Sequence, residues 1–237
     1  MIRLPARYLG WMTWDVVRGP GVVMFVVGVL AALLINSLTV VTNGSGGETR
    51  VFLGILDFVV TIFAIVGTAG MVSSDFAMGY YRTLFARPVS PPLYYFQRWL
   101  LGGALAVLVA TGVGLAAALR MGAELPIGRV ISQAALCYLL LGGLVFLLST
   151  ITRRDWLIAV LVLAAYSALG LARALGAAGT GVAAVLYAVL PPLELVDVSD
   201  PVPSGRDLAY VLAYGSALVA AALAVIRFRP LARGARE

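Results

Sequence analysis

Apolar residues in this chain come in long blocks separated by short polar interruptions, with neither the alternation of half-buried strands nor the narrow stripe of soluble amphipathic helices. Residues 21–41, 51–73, 97–119, 130–151, 156–175 and 208–228 are such blocks. Each is near the roughly 20 residues of helix that cross a bilayer core. They predict an all-α polytopic membrane protein with six spans, residues 1–237 forming a single transmembrane domain. A further apolar run, 181–190, is bounded by Gly179, Thr180 and Gly181 on one side and by Pro191 and Pro192 on the other. At 1.5 Å per residue it reaches roughly 15 Å, about half the hydrocarbon thickness. It predicts a re-entrant hairpin before the last span, with the prolines at its bend. Ahead of the first span, Tyr8, Trp11 and Trp14 stand among Arg3, Arg7 and Arg18. Leu4, Tyr8 and Trp11 share one helical face, which predicts an interfacial elbow helix.

Charge placement orients these spans. With both termini in the cytoplasm, that side holds Arg3, Arg7, Arg18, Arg82, Arg87, Arg98, Arg153, Arg154, Arg227, Arg229, Arg233 and Arg236. The outer side keeps fewer arginines and carries Glu48, Glu124, Glu194, Asp197, Asp200 and Asp207. This is a positive-inside distribution. Counting 181–190 as a seventh span would reverse it for the C-terminal half. The hairpin is thereby assigned to the outer side.

Composition then removes most chemistry. The chain is 62% hydrophobic and 12% charged, and all 17 basic residues are arginine. Lacking lysine, it cannot build a P-loop. Without histidine it has no His-based metal site and no Ser-His pair. The single cysteine, Cys137, lies in an apolar run and reads as a small buried hydrophobe. An enzyme is therefore not expected, nor is a bound metal or other cofactor. The net charge of +6 is explained by arginines flanking apolar spans, so the lipid bilayer rather than nucleic acid is the expected partner.

Within the spans, Gly102, Ala106, Ala110, Gly114 and Ala118 recur every four residues, as do Ala209, Ala213, Ala217 and Ala221. Each series predicts a ridge against which another helix packs closely. Asp57 is the main ionisable residue inside a span. It is a candidate pathway contact, or a partner for Arg50 near the outer surface. The span interiors hold no relay of carboxylates, and such walls suit an amphipathic or lipid-like substrate better than a hydrated ion.

The segment 75–98, DFAMGYYRTLFARPVSPPLYYFQR, differs from the rest of the chain. Phe76, Tyr80 and Leu84 share a helical face with Tyr81 and Phe85 beside them, and Gly79 leaves room for close approach. Pro88 ends this short helix. Ser90 and Pro91 read as N-cap and first-turn proline of the third span. Tyr94, Tyr95 and Arg98 are predicted at headgroup level.

An acidic residue closing the second span, a glycine four positions on, a short helix, and then Arg87-Pro88-Val89-Ser90 before an aromatic third span resemble the membrane subunit of type-2 ATP-binding-cassette exporters. Pro91 stands where that family commonly carries a basic residue. The resemblance covers the layout of the whole chain. It implies a permease in a bacterial cytoplasmic membrane that forms the export pathway together with a second permease subunit, identical or not. It further implies a separate cytoplasmic P-loop ATPase that binds ATP and Mg and docks on the helix between spans two and three. Asp75, Gly79, Arg82, Leu84, Phe85 and Arg87 are the coupling contacts so implied. A non-transporting membrane scaffold, or a secondary transporter independent of ATP, is the competing expectation.

Overall fold

The computed structural model describes residues 6–41, 48–73, 75, 90–121, 127–152, 155–174 and 204–228, together with positions 181, 185, 190 and 195. Among them there is no strand. The helices are α1 (Ala6–Val16), α2 (Val22–Val41), α3 (Glu48–Thr68), α4 (Pro91–Met121), α5 (Ile127–Cys137), α6 (Gly143–Ile151), α7 (Asp155–Ala174) and α8 (Gly205–Phe228). Four stretches are long and apolar enough to cross a membrane: Gly10–Leu34, Pro91–Leu119, Ile127–Ile151 and Gly205–Phe228. The chain is thus a helical membrane protein. Most of the expected hairpin at 181–190 lies outside the described residues.

Two π turns, Val17–Gly21 and Tyr138–Gly142, join α1 to α2 and α5 to α6 without leaving helical backbone. The first contains Pro20. Proline has no N–H to give the preceding turn, and the wider π turn accommodates that loss. In place of a detached elbow, α1 therefore runs directly into the first span.

Local chemistry sets the ends of the other helices. α3 stops at Thr68 rather than continuing to Ser73, because Gly70 takes a left-handed φ of 80°. The Ala69 N–H bonds the Ile65 carbonyl at 2.8 Å, and the Thr68 hydroxyl donates to the Ala64 carbonyl at 2.9 Å, so the last turn is satisfied internally. α4 starts at Pro91, where the absent N–H is no loss. The Tyr94 N–H bonds the Ser90 carbonyl at 3.1 Å. At 31 residues, α4 spans about 46 Å, well beyond a hydrocarbon core of about 30 Å. Its first two turns are therefore available for contacts outside that core. α8 begins with Ser204 accepting the Asp207 N–H at 3.3 Å.

The centre of the bundle is built from α3, α4 and the Ile127–Ile151 helix, with α2 laid on α3 and α4 and α8 on α6. Gly102, Ala106, Ala110, Gly114 and Ala118 are all buried, and α4 meets α3 at Gly102 and Gly67. Tyr138 fills the gap beside this crossing. Its hydroxyl donates to the Trp99 carbonyl at 2.7 Å, and its ring lies against Gly103.

The second alanine series behaves differently. Ala209, Ala213, Ala217 and Ala221 are exposed, and α8 instead buries Val211, Gly215, Val219, Ala222 and Ile226. The close approach is made at Gly215, where a methyl group would lie 2.5 Å from Leu139 Cγ. Fourfold spacing identifies a stripe of small residues but not the side of the helix that finds a neighbour.

Candidate functional site

The first turns of α4 present one face to the protein interior. Tyr94 and Tyr95 are wholly buried and Arg98 nearly so, beneath α1 and the chain that follows α3. Their expected depth at headgroup level is a matter of position along the membrane normal, whereas their burial shows that protein rather than lipid covers them. Their hydrophobic and charged surfaces are used inside the protein, because α4 extends far enough beyond the core for other elements to cover it.

Arg98 is the centre of this region. Its Nη1 donates to both Asp75 oxygens, at 2.9 Å and 3.0 Å, and to the Met71 carbonyl at 3.1 Å. Its Nη2 donates to Asp15 Oδ2 at 2.8 Å. One guanidinium thus ties together α1, α4 and the stretch after α3. The Tyr95 hydroxyl interacts with Asp75 as well, and the Tyr94 and Tyr95 rings meet edge to face at 5.0 Å.

The two acids are held unequally. The Asp75 side chain is 7% exposed and that of Asp15 45%. Burial pushes the Asp75 carboxyl above the ordinary carboxylate range, with Arg98 acting in the opposite direction. Breaking a buried pair of this kind costs about 3–5 kcal/mol, because the abandoned charge stays in a poor solvent. The exposed Asp15 contact belongs to the class worth about 0.2–1 kcal/mol.

The residues singled out by sequence separate into three groups. Asp75 is drawn inward and occupied by Arg98. Gly79, Arg82, Leu84, Phe85 and Arg87 lie outside the described residues. Asp57 is half-buried on α3, within electrostatic reach of Cys137 and one turn from Thr61. Along a helix, Asp57 and Met71 would be about 20 Å apart, so Asp57 does not join the Arg98 site. Arg50, the partner considered for Asp57, has no described side chain.

Sequence reasoning missed Asp15 and the joining role of Arg98. The available signal was a charge one turn inside an apolar helix, which requires a counter-charge nearby. At the same end of the bundle, a cavity of about 780 Å³ opens between the start of α4 at Ser90, Pro91 and Pro92 and the end of α8 at Leu223, Arg227 and Phe228. It adjoins the point where the segment 76–89 returns to α4. No protein-family model matches this chain, and no curated protein matches it.

Proposed function

We propose that the chain is the permease subunit of an ATP-driven exporter of the type-2 ATP-binding-cassette class. In this reading it has six spans with both termini in the cytoplasm, sits in a bacterial cytoplasmic membrane and pairs with a second permease subunit. Hydrolysis of ATP, with Mg, takes place on a separate P-loop ATPase. The cargo is amphipathic or lipid-like, in keeping with the apolar interiors of the spans.

The observation that carries the reading is the hold on Asp75, the described residue that precedes positions 76–89. A buried arginine of α4 clamps it, and α4 itself opens at Ser90 and Pro91 on the other side of those positions. A push delivered next to a clamped residue passes to the helix that clamps it. Asp75 serves in this scheme as the anchor. Docking falls to Leu84 and Phe85 as apolar inserts, Gly79 as the point of close approach, and Arg82 and Arg87 at the rim. ATPase closure would load the segment, and the Asp75–Arg98 pair would pass that load to α4.

The test is to establish whether a neighbouring reading frame encodes a P-loop ATPase, then to co-express that protein with this chain and copurify. Leu84→Asp and Phe85→Asp are expected to insert normally and lose the ATPase, since each places a charge in an apolar contact. Failure of the unmodified chain to associate would remove the exporter reading. Normal association of both variants would remove the docking assignment.

A further inference from the structure

Part of the hold of the bundle on α1 is electrostatic. Met12, Asp15 and Val16 form one helical face, and Met12 and Val16 are buried while Trp14 is 63% exposed. Among the described side chains of this 11-residue helix, that face offers the bundle two buried apolar groups and one half-exposed carboxylate. Its covalent joint is the π turn, where Gly21 presses on α4 so closely that a methyl group would lie 3.0 Å from Leu105 Cδ2. Asp15 is a polar tie to α4 on the far side of that joint.

The tie ends on a cation that already has a stronger partner. Asp75 engages Arg98 with both oxygens in a buried setting, and Asp15 with a single oxygen in a half-exposed one. The two carboxylates are also within electrostatic reach of each other. One positive charge is therefore shared by two mutually repelling negative ones. Whatever weakens the first pair strengthens the second, and the effect is reciprocal.

We infer that Asp15, Arg98 and Asp75 form a charge-sharing switch in which α1 and the segment beginning at Asp75 compete for one guanidinium. With Asp75 seated, Asp15 holds only a share of the Arg98 charge. When Asp75 is drawn away, the full charge of Arg98 turns to Asp15 and α1 is clamped against α4. What draws Asp75 away rests on the exporter reading; the sharing itself is a property of this chain alone.

The experiment accordingly uses the chain without any ATPase, in lipid nanodiscs. Cys137→Ala removes the native thiol, and spin labels are placed at Gly10→Cys and Leu93→Cys. Gly10 has nothing within 4 Å of a built Cβ, and Leu93 is exposed. Met12→Ala removes one apolar anchor of α1, so that docked and undocked distances are both populated in pulsed electron-electron resonance. In that background Asp15→Asn and Arg98→Gln are expected to raise the undocked fraction. Asp75→Asn is expected to lower the undocked-to-docked ratio by about fivefold or more. With Asp15→Asn already present, Asp75→Asn is expected to have no effect, because no acid on α1 remains to receive the charge. An undocked fraction that rises or stays constant on Asp75→Asn overturns the switch, as does a persistent effect of Asp75→Asn in the absence of the Asp15 charge. A purely structural role for Asp75 predicts loosening of α1 in both backgrounds.

Discussion

Gly102→Ala puts the packing of the bundle centre under direct test. A methyl group built at this position would lie 2.5 Å from the Gly67 carbonyl oxygen, 2.7 Å from Met71 Cε and 2.9 Å from the Tyr138 hydroxyl. The Met71 methyl is the end of a flexible chain and can turn aside. The Gly67 carbonyl is helix backbone and cannot. The Tyr138 hydroxyl is held by the Trp99 carbonyl. Non-bonded carbon contacts settle near 3.5–4.0 Å, so α3 and α4 would have to part by about 1 Å at their crossing. Overpacking of this order costs about 1–3 kcal/mol, and the better helix propensity of alanine returns about 1 kcal/mol, leaving a net loss of about 0–2 kcal/mol and a deficit of about 1–3 kcal/mol against a control that has only the propensity gain. Gly112→Ala is the matched control: it lies on the same helix, with nothing within 4 Å of the added carbon. Reversible unfolding in mixed micelles, titrated with sodium dodecyl sulfate, would compare the two. A Gly102→Ala protein as stable as Gly112→Ala would refute the close crossing.

Arg98→Gln is expected to cost about 3–5 kcal/mol at neutral pH, since it strands Asp75 in a buried site. Burial already raises that carboxyl above its ordinary value of 3.8, and loss of Arg98 removes the opposing influence. The folded form would then bind the Asp75 proton more tightly than the unfolded one. Stability of the variant should consequently rise as pH falls towards the ordinary carboxylate range, and Asp75→Asn in the same background should abolish that slope in unfolding titrations. For topology, an impermeant thiol reagent outside the cell should label Ser204→Cys and spare Ser90→Cys; the reverse pattern would invert the orientation. On α8, Ala213→Leu should leave monomer stability within about 0.5 kcal/mol as an exposed substitution, whereas Ala110→Leu in the buried ridge should cost about 1–3 kcal/mol by the same unfolding assay.

Elements were legible where the determining physics is local. Block length announced the apolar helices, Ser90 and Pro91 announced the start of α4, and small residues at spacing four announced its packing ridge. The end of α3 was also written locally, in Gly70, but a continuous apolar run through Met71 and Val72 masked it. Partners were not legible, because they depend on which sides of two helices meet. The alanines of α8 match the spacing of the α4 ridge and yet face outward, since Gly215 offers Leu139 the closer approach. Asp15 and Arg98 lie 83 positions apart, and no periodicity connects them.

The position of Arg98 also has a physical logic that sequence patterning does not express. Between helices in lipid there is little hydrophobic drive to hold one against another, so apolar contacts alone let neighbours slide or tilt. Charge-assisted hydrogen bonds are directional and about twice as strong as neutral ones. A single arginine that binds Asp75, the Met71 carbonyl and Asp15 therefore links three chain segments at one end of the bundle. The same arrangement leaves one of its three ties half exposed and easily exchanged. A firmer hold on the segment after α3 than on α1 thus arises from one side chain, and the unequal burial of its two acids decides which is which.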